Sequence, residues 1–173
     1  HGGIGDAKQN WQDIIPIFSE EYHVLAPDLP GFGGTESIGT GKTLSDIIVW
    51  LLAFLESQGV NQVVVIGSSF GALIARLMAA QHPHVVAAIV LVNGGFVPDV
   101  PAWAKVLMGL PVIGTAFSNF LARMATSESG LKDMIYHPEA LTPELIESVQ
   151  SNVSGFAYLM QMTASQPLPE KNK

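Results

Sequence analysis

The fold of this chain is indicated by residues 63–72, which read VVVIGSSFGA. The first four residues are β-branched and predict a buried parallel strand, and the apolar run that follows the stretch predicts a helix. Between them lies a G-x-S-x-G pattern centred on Ser69, in which a tight turn holds the serine in a strained backbone conformation above the sheet. We expect a β-carbon at Gly67 or Gly71 to collide with the neighbouring strand or helix. The alternative is an ordinary strand–helix turn in which the serine is incidental.

Predicted strands and helices alternate on both sides of this turn. The predicted segments are a helix at 11–19, a strand at 23–26, a helix between Thr43 and Gly59 that opens with a capping box at Thr43 and Asp46, a strand at 62–66, a helix ending at Gln81 and a strand at 86–92. This alternation predicts an α/β fold with a partial parallel sheet flanked by helices. Glycine-rich loops at 1–5, 28–34 and 67–71 all lie at the carboxyl end of the predicted sheet, where such sheets bind ligands.

The alternation stops at about residue 96. The residues that follow predict helices at 101–109, 114–126, 142–151 and 154–164. The third of these begins with Thr142 followed by Pro143, which is a typical helix start. We therefore divide the chain into a partial α/β core at 1–96, a helical lid at 97–165 and a polar linker at 166–173.

The composition is that of a globular chain, since 48% of its 173 residues are hydrophobic and 13% are charged. The formal net charge is −7 and no cluster of Lys or Arg occurs, which argues against binding to nucleic acid or to an anionic membrane surface. There is no cysteine, and neither a metal-ligand spacing nor a phosphate loop indicates a cofactor or a metal. The longest apolar run, at 85–92, is too short for a membrane span. We expect a cytoplasmic protein whose partner is a small-molecule substrate.

Four stretches within the first 95 residues resemble the α/β-hydrolase superfamily. Residues 1–3 read HGG and look like the family's HG oxyanion loop, and Trp11 lies where such proteins often place an aromatic residue. Residues 26–33 read APDLPGFG and look like the D-x-x-G-x-G loop after the family's fourth strand. Residues 67–71 look like the nucleophile elbow after the fifth strand. The pattern also resembles lid-bearing serine esterases and carbon–carbon bond hydrolases, with the lid inserted after the sixth strand. Since no strand precedes the HGG turn, we expect an internal fragment of a larger protein.

The resemblance implies a serine hydrolase that cleaves an ester or an activated C–C bond of an apolar small molecule. Ser69 would be the nucleophile. The backbone N–H groups of Phe70 and Gly3 would form the oxyanion hole, with Gly2 as the fallback for Gly3. A serine at this position, instead of an aspartate, argues against the haloalkane dehalogenases and epoxide hydrolases of the superfamily, which use a carboxylate nucleophile.

In the family, the catalytic acid and histidine follow the lid in chain order. The resemblance therefore implies that both lie beyond Lys173 and that residues 1–173 alone are inactive. We interpret His1 as a brace of the HGG loop rather than as a base. We interpret Asp28 as a carboxylate that stabilises its own loop, with a catalytic role as the alternative. The positions of the other histidines predict no contact with the candidate nucleophile; these are His23, His82, His84 and His137.

Trp103, Met108 and Met124 of the lid are candidate substrate-pocket residues, because methionine side chains form adaptable apolar surfaces. Ordinary packing between lid helices is the alternative. Two other functions stay open for the chain as a whole. One is a non-catalytic small-molecule receptor or scaffold on the same fold, and the other is an acyltransferase that shares every residue named above.

Overall fold

Two parallel strands form a sheet in the part of the chain that the structure describes. The computed structural model describes residues 1–39, 42–94, 101–110, 112–134 and 136–164. Strand β1 spans Val63–Ser68 and strand β2 spans Val86–Val92, and they pair in parallel with Gly67 opposite Leu91. The α-helices are α1 (Ala7–Trp11), α2 (Ile15–Ser19), α3 (Leu44–Ser57), α4 (Phe70–Gln81), α5 (Ala102–Gly109), α6 (Ile113–Ala125), α7 (Glu128–Met134), α8 (Pro143–Ser151) and α9 (Val153–Ala164). The parallel α/β arrangement predicted from the sequence is confirmed.

Helix α4 connects the two strands and packs against both of them and against α3. It is apolar on nearly every side, as expected of a helix enclosed between two layers, and residues 71–75 and Met78 are buried. Helix α3 begins after Thr43, whose hydroxyl accepts the Asp46 N–H while the Asp46 carboxylate accepts the Thr43 N–H. The predicted capping box is therefore confirmed, as are α3 and α4.

One face of β1 packs against the core, and the opposite face of the sheet is exposed. Val63 and Val65 pack against the buried cluster formed with α3 and α4. On the opposite face, Val64 is 61% exposed and Val90 is 46% exposed. The prediction that the strands are buried is wrong for this face, which no described part of the chain covers. It is also wrong for most of β2, since every residue of that strand after Val86 is exposed.

Two predicted elements near the start of the chain differ in the structure. Residues 23–26 are not a strand, because within the described residues no strand lies beside them to form a ladder. The helix predicted at 11–19 is two short helices. The first begins earlier, because Asp6 caps it by accepting the Gln9 N–H while the Gln9 side chain accepts the Asp6 N–H. Pro16 lies in the first turn of α2, where its missing N–H costs no intrahelical bond.

Helices α5 to α9, here called the lid helices, follow the sheet, and α6 packs against both α5 and α9. The four predicted helices match α5, α6, α8 and α9 to within one residue at each end, and Thr142 caps α8 by accepting the Leu145 N–H at 3.2 Å. Helix α7 and a short 3-10 turn at Pro138–Ala140 have no counterpart in the sequence prediction. The predicted boundary at residue 96 and the linker at 166–173 lie outside the described residues.

Each described helix is shorter than the roughly 20 residues that a transmembrane helix needs. No single helix among them is long and apolar enough to cross a membrane, and α5 and α6 satisfy that requirement only when taken together, across a bend of 119°.

Candidate active site

Ser69 lies in the turn between β1 and α4, in a backbone conformation that is rare for a residue with a side chain. Its φ is 51° and its ψ is −111°, outside the regions that L-residues favour. The Ser69 N–H donates to the Val92 carbonyl at 2.9 Å, which ties the turn to the end of β2. A β-carbon on Gly94, just after β2, would collide with the Ser69 backbone. The residue itself is exposed, so the carboxyl end of the sheet presents a serine on a strained turn.

Two glycines make room for this turn, which we call the elbow turn (residues 67–71). A β-carbon on Gly67 would collide with the Gly71 carbonyl at the start of α4. A β-carbon on Gly71 would lie 2.6 Å from the carbonyl oxygen of His1. The predicted crowding is confirmed, with one difference: the neighbour of Gly71 is the loop at residues 1–6, here called the glycine loop, and not a strand or helix.

The glycine loop also lies beside Ser69. A β-carbon on Gly2 would be 3.2 Å from the Ser69 β-carbon. The Gly2 N–H donates to Oδ1 of Asn10 at 3.1 Å, so the fallback oxyanion donor already has an acceptor. Among the described residues, the N–H groups of Gly3 and Phe70 have no hydrogen-bond acceptor. Phe70 is the first residue of α4, and the first N–H groups of a helix have no acceptor within the helix. The two leading candidate donors are therefore unpaired, one on the glycine loop and one on the elbow turn.

His1 braces the glycine loop with both of its ring nitrogens. Its Nε2 accepts the Leu29 N–H at 2.8 Å, and its Nδ1 donates to the Gly2 carbonyl at 2.7 Å. These partners fix the neutral tautomer with the proton on Nδ1. The ring is buried and meets Phe32 edge-on, with 5.0 Å between ring centroids. Since neither nitrogen is free to take a proton from Ser69, the geometry fits the bracing role.

Asp28 joins the glycine loop and α1 to its own loop. Its Oδ1 accepts the Ala7 N–H at 2.8 Å, and its Oδ2 accepts the Gly34 N–H at 3.0 Å. Gly33 has a φ of 49°, and a β-carbon there would collide with this carboxylate. Both carboxylate oxygens therefore hold backbone groups, which supports the loop-stabilising interpretation over the catalytic one.

The remaining histidines lie away from the elbow turn. His82 and His84 come between the end of α4 and the start of β2, at the opposite end of the sheet. His137 is exposed and bonded to Glu139 at 2.7 Å, and His23 is exposed as well. In the part of the chain that the structure describes, no group of three or more His, Asp or Glu side chains is arranged to hold a metal ion. The described residues thus place no histidine base at the elbow turn.

A cleft of about 210 Å³ lies between the glycine loop with α1 and the lid helices. Its walls are formed by Ile4, Gly5, Gln9, Asn10, Leu131, Leu141, Leu145 and Val149. The lid contributes only aliphatic side chains to it. The three candidate pocket residues lie elsewhere: Trp103 is 66% exposed, Met124 is 55% exposed, and Met108 is buried. Their contact with a substrate stays a prediction.

Three side chains that the sequence analysis missed hold this region together. Asn10 bonds to the glycine loop, as described above. Asn152, between α8 and α9, accepts the Gly33 N–H with its Oδ1 at 2.8 Å. Phe156 of α9 lies over Gly3, with a ring carbon 2.8 Å from where a β-carbon would be. No motif marks these residues, although an asparagine within ten residues of a glycine-rich turn is a weak signal for the first of them.

Comparison with known proteins connects this geometry to a family. The family model described as alpha/beta hydrolase fold matches residues 1–127. Pyrrolizixenacetamide deacetylase of Xenorhabdus hominickii is 32% identical over 93 residues, which cover 54% of this chain and 35% of that protein. The 2-hydroxy-6-oxononadienedioate/2-hydroxy-6-oxononatrienedioate hydrolase 2 of Pseudomonas putida is 27% identical over 159 residues, which cover 87% of this chain and 54% of that protein.

A solved structure has the same fold. It is that of a probable hydrolytic enzyme from Pseudomonas aeruginosa PAO1, with a TM-score of 0.72 and 23% identity, and the match covers 97% of this chain and 57% of that one. The chain therefore spans only 35% to 54% of the two curated relatives. Since the family model matches well over half of the residues, the chain belongs to the alpha/beta hydrolase family.

Proposed function

We propose that the full-length protein containing this chain is a serine hydrolase whose nucleophile is Ser69. The observation that carries the proposal is the Ser69 backbone, which has a φ of 51° in an exposed residue just before α4. Backbone strain of this kind clusters at functional sites, where the surroundings hold it in place. Membership of the alpha/beta hydrolase family, with relatives named as hydrolases, supports the same chemistry.

The reaction begins when a general base takes the Ser69 hydroxyl proton and the oxygen attacks a carbonyl carbon. The carbonyl electron pair moves onto its oxygen, and this oxyanion accepts hydrogen bonds from the unpaired N–H groups of Gly3 and Phe70. Removing one donor of an oxyanion hole typically lowers kcat by about 10²–10³. Collapse of the intermediate expels the leaving group with a proton, and water then hydrolyses the acyl-enzyme.

We place the general base and its orienting acid outside residues 1–173. His1 has a partner on each ring nitrogen and Asp28 has one on each carboxylate oxygen, so neither is free to act on Ser69. The chain covers 54% of the Pseudomonas putida relative, which leaves ample length for both groups in a protein of that size. On this proposal, residues 1–173 alone are inactive.

The proposed substrate is an apolar small molecule with an ester or an activated C–C bond. A cleft with aliphatic walls, including Leu131, Leu141 and Val149, lies next to the glycine loop, and Ser69 is not among the residues that line it. On this proposal, a hydrocarbon portion of the substrate extends from Ser69 into the cleft, whose walls favour apolar groups over charged ones. The Pseudomonas putida relative is named for 2-hydroxy-6-oxo dienedioates, which carry two carboxylates, so its name supports a small-molecule substrate and not the apolar character of that substrate.

Labelling of the full-length protein with a fluorophosphonate probe tests the nucleophile. Ser68 is a matched control, because it is the neighbouring serine and ends β1. We expect the wild type and Ser68→Ala to be labelled and Ser69→Ala to remain unlabelled, with peptide mass spectrometry locating the label. Label on Ser69→Ala, or none on folded wild type, would overturn the proposal, and the second result would favour a non-catalytic receptor.

A further inference from the structure

Asn10 uses its whole carboxamide to hold the glycine loop. Its Oδ1 accepts the Gly2 N–H at 3.1 Å, and its Nδ2 donates to the Ile4 carbonyl at 3.1 Å and to the Asp6 carbonyl at 2.9 Å. Because Asn10 lies on α1, these bonds attach the backbone on both sides of Gly3, at Gly2 and at Ile4, to a helix.

These bonds bear on the direction of the Gly3 N–H. The Gly2–Gly3 peptide is trans, so the Gly3 N–H points opposite to the Gly2 carbonyl. His1 holds that carbonyl through Nδ1 at 2.7 Å, and Asn10 holds the N–H on the other side of Gly2 and the carbonyl of Ile4. Glycine has little backbone preference of its own, so the side-chain bonds on either side of Gly3 set its orientation.

We propose that Asn10 is a positioning residue that keeps the Gly3 N–H aimed at the oxyanion formed on the substrate of Ser69. This inference rests on the proposed function, and it gives Asn10 no contact with substrate. Oxyanion donors work only within hydrogen-bond distance of the developing charge, and a displacement of about 1 Å in such a site lowers the rate by about 10²-fold. A purely structural side chain, by contrast, changes how many molecules fold and not how fast each folded molecule reacts.

The test measures two quantities during fluorophosphonate labelling of Ser69 in the full-length protein. The final extent of labelling reports how many molecules are folded, and the rate constant reports the reactivity of those molecules. We expect Asn10→Ala to lower the rate constant by about 10- to 100-fold while labelling still approaches completion. Asn10→Ser is the second variant, since its hydroxyl keeps a short donor and acceptor, and we expect an intermediate rate constant.

Asn152→Ala is the matched control. Asn152 also accepts a glycine N–H, that of Gly33 at 2.8 Å, and also donates to a backbone carbonyl, that of Ser148 at 3.0 Å. Its bonds hold the loop after Asp28 and not the glycine loop. We expect both Asn152→Ala and Asn10→Ala to lose thermal stability, and we expect only Asn152→Ala to keep the wild-type rate constant of labelling.

Each outcome decides the matter. A wild-type rate constant in Asn10→Ala, or an equal fall in Asn152→Ala, overturns the inference. Loss of final labelling in both Asn10 variants, with full labelling of Asn152→Ala, also overturns it, because that result assigns Asn10 to folding. Failure of the wild type to label at Ser69 is a failure of the proposed function itself, whereas labelled wild type with unaffected Asn10 variants refutes this inference alone.

Discussion

The conformation of Ser69 is held in place by its neighbours and not by its own preference. A non-glycine residue in a sparsely populated region of positive φ costs about 1–3 kcal/mol and persists only where the surroundings determine it. Here the bond from the Ser69 N–H to Val92 and the tight packing at Gly67 and Gly71 do so. Residues that never meet a substrate therefore control where the serine hydroxyl lies.

Replacing Gly67 by alanine tests this crowding in the full-length protein. The new β-carbon would collide with the Gly71 backbone of α4, and a backbone cannot rotate aside as a side chain does. We expect the free energy of unfolding, measured in urea, to fall by about 1–3 kcal/mol, the usual cost of overpacking. Gly109→Ala is the control, because the added β-carbon meets open space at the end of α5, and a gain of up to about 1 kcal/mol is expected from helix propensity. Equal free energies in the two variants would contradict the argument.

At this scale, the residues predictable from sequence are those whose roles depend on near neighbours in the chain. Ser69 and the two glycines of its turn belong to a five-residue pattern, so their packing could be predicted. Asn152 could not, because its partner Gly33 lies 119 residues away and the two meet only in the folded chain. Asn10 lies close to its partners in sequence, but its role depends on a loop conformation that several glycines leave open.

The same distinction between local and long-range causes applies to whole helices and strands. Helix α3 could be predicted because Thr43 and Asp46 signal its start within four residues. Residues 23–26 have a strand composition, but a strand also needs a partner, which the described residues do not provide. Helix α7 was not predicted from the sequence. It is only seven residues long and buries a single side chain, Leu131, so its apolar residues do not repeat at the helical spacing.

The cap of α3 makes a pH-dependent contribution to stability. The Asp46 carboxylate accepts bonds from the Thr43 N–H and the Thr43 hydroxyl, both at 2.8 Å. These two bonds, with a smaller contribution from Lys42, hold the pKa of Asp46 below its ordinary value of 3.8. A carboxyl group whose pKa is lower in the folded state stabilises the fold above its unfolded pKa, and that stabilisation is lost as the pH falls through the folded pKa.

We therefore expect Asp46→Asn to lower the free energy of unfolding of the full-length protein at neutral pH. The difference from wild type should shrink as the pH falls below about 4 and through the lowered pKa of Asp46, because its carboxyl group is then progressively protonated, whereas the asparagine side chain is uncharged throughout. Urea unfolding of both proteins between neutral pH and about pH 3 measures this difference. Thr43→Ser, which keeps the capping hydroxyl, should follow the wild-type pH profile. A difference between wild type and Asp46→Asn that stays constant over this range would refute the expectation.

At the scale of the whole molecule, the sheet has one face, here called the open face, that no described part of the chain covers. Because paired residues of neighbouring strands share a face, the open face is formed by Val64, Ile66, Val90 and Val92. Parallel sheets occur almost only with both faces covered, and this one consists of two strands in the described part of the chain. The chain also spans only 54% of its Pseudomonas putida relative. The open face is thus the place where we expect the rest of the full-length protein to pack.

The open face also explains why strand burial was overestimated from the sequence. The run at 63–66 has the composition of a strand buried on both sides, and its alternate residues Val63 and Val65 do reach the core. Whether Val64 is buried depends on what lies over the second face, which the composition of the strand cannot specify. The sequence pattern therefore describes the environment for which the strand is suited, and the described residues supply that environment on one side of β1.

Val64→Lys and Val49→Lys are a matched pair that tests this conclusion in the full-length protein. The two valines are 61% and 63% exposed in this structure, but the first lies on the open face of the sheet and the second on the outer side of α3. If the open face is covered in the full-length protein, Val64→Lys buries an unpaired charge, and we expect the free energy of unfolding in urea to fall by roughly 3–5 kcal/mol. Val49→Lys should stay within about 0.5 kcal/mol of wild type, as exposed substitutions do. Equally small effects at both positions would mean that water reaches this face even in the full-length protein, and the conclusion would then be wrong.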